Sequence, residues 1–402
     1  MALEILEQGR AIFWTHTLRL RSPFDAVPEK NRSQLLLLAR QLERTDPAAK
    51  DPRAVESEVT RRRKQSEQFN ALLETIRRYP GMERFLLPDE YAKLATAAKE
   101  GPVVVLVSSA LGCHAVVINS SGDVMGIPLK QPATGRGRPR VWWCPTGNFV
   151  HLPIHAAGAD GDWATNYIVS SYTPTLGYLI SAREACEPPK KSDILALLAA
   201  VPQPNTSQWH DLLFSREEVS IVSEILPAGM EIPVIPANCT LGKHENGITA
   251  ERLLKNLPKA TILHLACHAY QDPENALKSG FVMQDETLTI ERLMQTPLSC
   301  AFMAFLSACE TAKGDKDQPD QVVHLAATLL FAGFKTVIAT LWSMEDVDGP
   351  LIAKSVYEDL FSRDAEYLNP DDIAYALDEA VLKLRLVHPE PSRWAPYIHL
   401  GI

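Results

Sequence analysis

Two apolar runs in this chain each end on a side chain able to do nucleophilic chemistry. "ATILHLACHAY", Ala260 to Tyr270, carries His268, and "CAFMAFLSACETAKGD", Cys300 to Asp315, carries Cys309. A free thiol, with a pKa near about 8.5, is only a few per cent thiolate at neutral pH. An imidazole beside it lowers that pKa, takes the proton and can return it to a leaving amine. The oxyanion of acyl transfer then needs backbone N–H donors. At a strand end these would come from Cys309 and from Ala269, the residue after the histidine. Taken only as residue types, the two also fit quieter roles: a buried Cys is commonly core filler, and a lone His a hydrogen-bonded structural residue. His264 and Cys267 stand beside His268. Alternation along a strand sends His264 to the same face as His268 and Cys267 to the other, and no CxxC pair or second His cluster lies nearby, so no metal is expected.

For such a pair to work, neighbouring strands must hold it. After "EPPKKSD", Glu187 to Asp193, a polar Pro-containing break, β and α patterns alternate. "ILALLAAVPQP" reads as a buried strand and "SREEVSIVSEILP" as a helix capped by Ser215. "EIPVI" follows as a short strand, then "GITAERLLKNLP" as a helix, "ATILHLACH" as a strand and "LTIERLMQTP" as a helix capped by Thr289. "CAFMAFLSAC" is a strand, "DQVVHLAATLLFAG" a helix stopped by Gly333, "FKTVIATLW" a strand, and two helices close the pattern. This alternation predicts a mostly parallel sheet with helices on both faces. Functional residues in such a sheet collect beyond the carboxyl ends of the strands, where both His268 and Cys309 fall. With "LTIERLMQ" as crossover, the two strands are expected to be neighbours, their ends about 5 Å apart, or about 10 Å with one strand between. Upstream, "PVVVLVSSALGCHAVVIN", "RVWWCPTGNFVHLPIH" and "NYIVSSYTPTLGYLI" read as β-rich. The first hundred residues are helical in pattern, and the helix that opens at Met1 without a capping sequence is expected to continue preceding helices.

Composition narrows the functional classes. The chain has 402 residues, 46% hydrophobic and 22% charged, enough for two or three domains. A net charge of -9 argues against a general nucleic-acid binder, and the basic run Arg61 to Lys64 reads as a solvated helix face. Seven scattered cysteines do not form a disulfide framework. The acidic opening is unlike a signal peptide, and no apolar run reaches the roughly 18–20 residues of a membrane helix. The expectation is a reduced, soluble, cytoplasmic protein. GxSxG, HExxH, Walker and dinucleotide-binding motifs are absent from the sequence.

The segments "ILHLACHA" and "AFLSACETAKGD…PDQVVHLAATLLFAGFKTVIATLWSMED" strongly resemble the CHAT domain, the caspase- and separase-like cysteine peptidases often attached to tetratricopeptide repeats. The likeness extends through "GPVVVLVSS", "VWWCPTGNFVHLPIHAAG" and "WAPYIHLGI", roughly Gly101 to Ile402, and "WWCPTG" and "LEQGR" are most like the fungal branch. The resemblance implies an α/β fold of caspase-like, three-layer α/β/α type with a mostly parallel sheet. Residues 1–99 would be the helical end of a repeat array, 100–187 a degenerate caspase-like half and 188–402 the catalytic half. It places the catalytic histidine at His268 and the nucleophile at Cys309. The family usually has Gly where this chain has Ala269. Ala keeps the N–H donor but adds a methyl, which costs about 1 kcal/mol if the backbone φ is positive. In "LWSMEDVDG", Trp342 is placed to line a substrate cleft. Glu345, Asp346 and Asp348 would meet a basic residue before the cut bond, as acids do in that part of separase, or else serve as helix-entry residues ahead of Pro350. The polar loop "ETAKGDKDQPDQ" is a substrate wall or a plain connector.

The function expected is a cysteine endopeptidase acting on a protein substrate without a cofactor, a regulated effector in defence or cell death. The family offers a gasdermin-like protein as substrate and an upstream repeat region or activator as partner, with no nucleic acid and no membrane span. The alternatives are a catalytically weak caspase-like scaffold that acts by binding, and another thiol enzyme, such as an acyltransferase, on the same dyad.

Overall fold

The computed structural model of the chain describes residues 6–7, 27–43, 64–65, 67–83, 85, 89–109, 112–119, 137–159, 161–205, 209–232, 248–272, 276–296, 298–308 and 325–402. The chain divides into two compact units, Met1–Tyr91 and Ala92–Ile402. In the first, helix α1 (Glu29–Glu43) buries Leu35 and Leu38, one turn apart, against Phe69, Leu72, Leu73 and Ile76, which recur at helical spacing.

The second unit is built on one nine-stranded sheet. Its early strands are β1 (Val103–Ser109), β2 (Gly112–Ile118) and β3 (Arg140–Pro145). A small hairpin of β4 (Gly158–Ala159) and β5 (Asp162–Trp163) precedes β6 (Val169–Tyr172). Then come β7 (Ala196–Ala200), β8 (Ile262–Ala266), a three-stranded side sheet of β9 (His268–Tyr270), β10 (Gly280–Val282) and β11 (Thr287–Thr289), then β12 (Met303–Ser307), β13 (Thr336–Thr340) and β14 (Tyr397–Gly401). The order across the large sheet is β2-β1-β3-β6-β14-β13-β12-β8-β7. Among the described pairings of this large sheet, only β1–β2 and β13–β14 are antiparallel. Two parallel blocks of opposite direction therefore share one sheet and meet at the antiparallel β13–β14 pairing, while Leu400 of β14 pairs in parallel with Tyr172 of β6.

Every residue of β8, β12, β13 and β14 is buried, so these strands are covered on both faces and lack the alternating polar residues of a half-exposed sheet. On one face, helices α3 (Ser215–Ile225), α6 (Gly349–Ser362) and α7 (Pro370–Val387) pack Val222, Val356 and Ala380 against Ile262, Phe305 and Ile338. Helices α2 (Leu176–Glu184) and α5 (Leu325–Ala332) meet through Tyr178 and Phe331, edge to face. Between β11 and β12 runs α4 (Ile290–Met294), capped by Thr289, whose hydroxyl accepts the Arg292 N–H as the sequence predicts.

Two local readings change. "TPTLGYLI" is not β: Thr175 caps α2 by accepting the Tyr178 N–H, and Leu176, Tyr178, Leu179, Ile180 and Ala182 are all buried. A helix buried on several sides carries no polar stripe to betray its period. Ser215 does not cap α3 but begins it, its hydroxyl donating to the Leu212 carbonyl. Of "EIPVI", Glu231 makes an isolated parallel bridge to Ala196, and the residues beyond Ile232 lie outside the described set.

Buried arginines tie the early strands to the later elements. Arg138 bonds Asp378 of α7 and the Thr165 carbonyl. Arg140 bonds Asp371 and Ser171 and lies over the Trp142 ring, whose Nε1 donates to the Gly401 carbonyl at 3.0 Å. Among the described residues, no helix is long and apolar enough to cross a membrane.

Candidate active site

β8 and β12 lie side by side and parallel, with Met303 opposite Ile262 through to Ser307 opposite Ala266. Beyond Ala266 the strand breaks at Cys267, whose N–H donates to the Ser307 carbonyl at 3.3 Å. The chain then re-forms as β9 and leaves the large sheet to pair with β10, His268 opposite Val282 and Ala269 opposite Phe281. Alternation along one strand therefore stops at Cys267, and His264 and His268 occupy different surroundings. Ala269 is central in β9, an extended conformation in which a Cβ carries no left-handed penalty.

The His268 side chain is held on two sides. Its Nε2 lies 2.7 Å from the carbonyl oxygen of His210, so Nε2 carries the proton and donates, which leaves Nδ1 as the basic nitrogen. Trp209 stacks on the ring, centroids 5.0 Å apart and planes inclined by 27°, and Trp209 also meets Tyr270 edge-on. His268 is 2% exposed. Burial pushes its pKa below the ordinary value, the nearby His210 ring adds to this, and the His210 carbonyl and the Asp346 carboxylate partly oppose it. The ring is therefore a neutral base at pH 7. Trp209 and His210 escaped the sequence reading. The available signal was a Trp-His pair in the connection after β7, at the same sheet edge where chemistry collects.

Cys309 and the residues that follow it to 324 lie outside the described residues. The described chain reaches Ala308, one residue short, and there Thr340 of β13 donates its hydroxyl to the Ala308 carbonyl at 2.8 Å.

A pocket of about 330 Å³ opens at these strand ends. Ala266, Cys267, Ser307 and Ala308 form its sheet side, and its other walls come from the start of α3 with the segment before it and from residues 344–347. Of the acids assigned to substrate, Glu345 and Asp346 line it. Asp346 also accepts the Phe214 N–H at 2.9 Å. Asp348 is elsewhere: it is 3% exposed at the entry to α6 and takes both Arg393 Nε (2.8 Å) and Nη2 (2.6 Å). Trp342 donates its Nε1 to the Ser392 carbonyl at 3.2 Å and packs against the core beneath α6 and α7.

Below the pocket runs a buried polar chain. Glu218 of α3, 1% exposed, accepts the Ser307 hydroxyl on Oε2 at 2.9 Å. Its Oε1 lies 3.1 Å from His264 Nε2. His264 Nδ1 is 3.3 Å from the Tyr357 hydroxyl, and its ring stacks on Phe305.

A family model for the CHAT domain matches residues 122–402. The chain belongs to the CHAT family. Its mixed, mostly parallel sheet with flanking helices is the α/β architecture expected from the alternation of strand and helix patterns. Solved structures similar to this CHAT chain include the Saccharomyces cerevisiae separase–securin complex, with TM-score 0.45 and 14% identity, covering 65% of this chain and 16% of that one. The Arg-specific cysteine proteinase gingipain R gives TM-score 0.43 and 12% identity over 65% of this chain and 62% of that one. The complex of Porphyromonas gingivalis RgpB pro- and mature domains gives 0.45 and 10% over 67% and 65%. The match thus spans about a sixth of the separase chain. No curated protein sequence matches this one significantly.

Proposed function

We propose that this CHAT chain is a cysteine endopeptidase that hydrolyses peptide bonds in a protein substrate, with Cys309 as nucleophile and His268 as general base and acid. The observation that carries the reading is the direct parallel pairing of β8 and β12 in register, with His268 two residues beyond Ala266 and Cys309 two residues beyond its partner Ser307. The orientation of His268 supports it further. With Nε2–H engaged by the His210 carbonyl, Nδ1 takes the thiol proton as the sulfur attacks the scissile carbonyl. The C–N bond then breaks and Nδ1 returns that proton to the leaving amine. Water, deprotonated by the same nitrogen, hydrolyses the thioester. The N–H groups of Cys309 and Ala269 are the proposed donors to the oxyanion.

Residues 188–402 supply these groups. Residues 100–187 form the degenerate half and 1–99 the helical region that receives an activating signal. Family resemblance supports a regulated effector in cytoplasmic defence or cell death, with a gasdermin-like substrate as the family's example.

The test is cleavage of a diverse peptide library by the purified chain beside Cys309→Ala and His268→Ala, with new termini read by mass spectrometry. Cuts present in the wild type and absent from both variants are expected. A wild-type chain that cuts nothing, and whose Cys309 reacts with a thiol-directed acylating probe no faster than Cys300, an exposed cysteine, would favour a binding scaffold instead.

A further inference from the structure

We propose that Leu213 and Val347 form an apolar clamp at the open side of the pocket, gripping one aliphatic or aromatic side chain of the substrate close to the cut bond. The inference takes from the peptidase reading only that the gripped chain is the substrate.

Single exposed aliphatic side chains are ordinary on a protein surface and call for no ligand. This pair differs in its placement. Among the described residues eight large hydrophobic side chains are exposed, and Leu213 (75% exposed) and Val347 (49%) are the two of them that line the pocket. They come from different walls, Leu213 from the segment before α3 and Val347 from residues 344–347.

Both are held out in water by braced backbone. Leu213 stands between Leu212, whose side chain is buried and whose N–H donates to the Pro202 carbonyl at 2.8 Å, and Phe214, whose N–H donates to Asp346 Oδ2 at 2.9 Å. The Ser215 hydroxyl closes the same turn on the Leu212 carbonyl at 2.9 Å. Val347 stands between Asp346, which takes the Phe214 N–H, and Asp348, which is paired with Arg393 and donates its own N–H to the Glu345 carbonyl at 2.9 Å. One hydrogen bond, Phe214 to Asp346, thus joins the chain neighbours of the two clamp residues and sets the spacing of their segments. The apolar surface is therefore displayed before a ligand arrives, and little ordering cost is left for binding. Releasing the water that covers it favours an apolar partner. The exposed carboxylates of Asp211 and Glu345 on the same walls keep their own water, so the aliphatic pair is what discriminates.

The occupant follows from the position. Ser307 and Ala308, the two residues before Cys309, line the same pocket, so a peptide laid with its scissile carbonyl at the sulfur passes beside the clamp. At about 330 Å³ the pocket is at the small end of ligand sites, with room for a side chain rather than a cofactor.

The experiment pans the immobilised full chain carrying Cys309→Ala against a random nonapeptide display library and measures the selected peptides in solution by fluorescence anisotropy. These peptides should share one position held by Leu, Ile, Val, Met or Phe. Changing that residue to Ala should weaken binding about tenfold, the low end for an apolar pocket because the clamp is open to water. Adding Leu213→Asn or Val347→Thr to the protein should weaken the parent peptide by a similar factor and leave the Ala peptide within about twofold, the non-additivity of a direct contact. Both substitutions fall at exposed positions, and an unchanged urea midpoint shows that the fold is intact. Additive losses, selected peptides without a shared apolar position, or no selected peptide at all would overturn the clamp. So would a wild-type dimer that both substitutions dissociate, because the pair would then be covered by a second copy of the chain. The peptidase reading fails separately. A chain that shows the coupling but cuts no peptide keeps the clamp and loses the hydrolysis, and Cys309-dependent cuts indifferent to both clamp residues do the reverse.

Discussion

At the scale of single residues, Trp209 is the side chain whose removal says most about His268. It covers one face of the imidazole, and burial is the leading cause of the lowered His268 pKa. In a Cys309→Ala background, which removes coupling to the thiol, the His268 ring should titrate below 6.5 in an NMR pH series. Adding Trp209→Ala admits water to that face, so the titration should move up towards 6.5, and with Cys309 restored kcat should fall about tenfold as the ring loses its fixed pose. A stacked indole also favours imidazolium by about 0.5–1 kcal/mol, the opposite sign. An unmoved or lower pKa in Trp209→Ala would mean that stacking, not burial, sets the value. Asp348 and Trp342 teach the converse lesson. Both have the right type and neighbourhood for a substrate cleft, but the structure engages one with Arg393 and the other with the Ser392 carbonyl.

At the scale of elements, β14 is the strand on which the sheet turns. It runs antiparallel to β13 and parallel to β6, and so joins the two blocks. Gly401 ends it with φ 105°, and a Cβ there would fall 2.2 Å from the Lys335 carbonyl oxygen, beside the carbonyl that receives Trp142 Nε1. Gly401→Ala should therefore cost about 2 kcal/mol or more, combining a left-handed backbone penalty with backbone crowding. Urea denaturation should show the loss as a lower midpoint at unchanged slope. A midpoint within error of the wild type would show that the β14 end adjusts freely and does not lock the two blocks.

For the whole molecule, buried histidines set the response to acid. Burial pushes His155 from 6.5 down to about 4, and pushes His399 well down, helped by the charge of Arg140. As pH falls from 6.5 towards 4, the unfolded chain takes up protons that these folded rings refuse, so stability falls, by at most about 3 kcal/mol for His155 alone. Asp378 acts oppositely. Burial raises it from 3.8 to about 6 against the pull of Arg138, so the folded carboxyl binds its proton first and stability from this group rises as pH falls through 6. Its swing is also about 3 kcal/mol and offsets that of His155. His268 and His399 then decide the sign, and both are lowered. The urea midpoint should be lower at pH 4.5 than at pH 7.5; an equal or higher one would mean that water reaches these rings.

Much of this was legible in the chain itself. The apolar runs of β7, β8, β12 and β13, each followed by a helical period, specify a parallel block, because strands covered on both faces need no alternation. A reactive His and a Cys at the ends of two such runs, with one crossover between them, specify where chemistry collects. Local periodicity could not show α2, which is buried nearly all round, nor the break at Cys267 that carries His268 into the side sheet. It could not reveal Glu218 either, because one acid on an amphipathic helix looks like any solvated glutamate until the fold brings Ser307, His264 and Gly349 around it. Pattern along the chain records only what each residue faces on its own element. The Trp209–His268 stack, the Glu218–His264 contact and the central place of β14 depend on contacts between residues far apart in sequence, and only tertiary packing decides those.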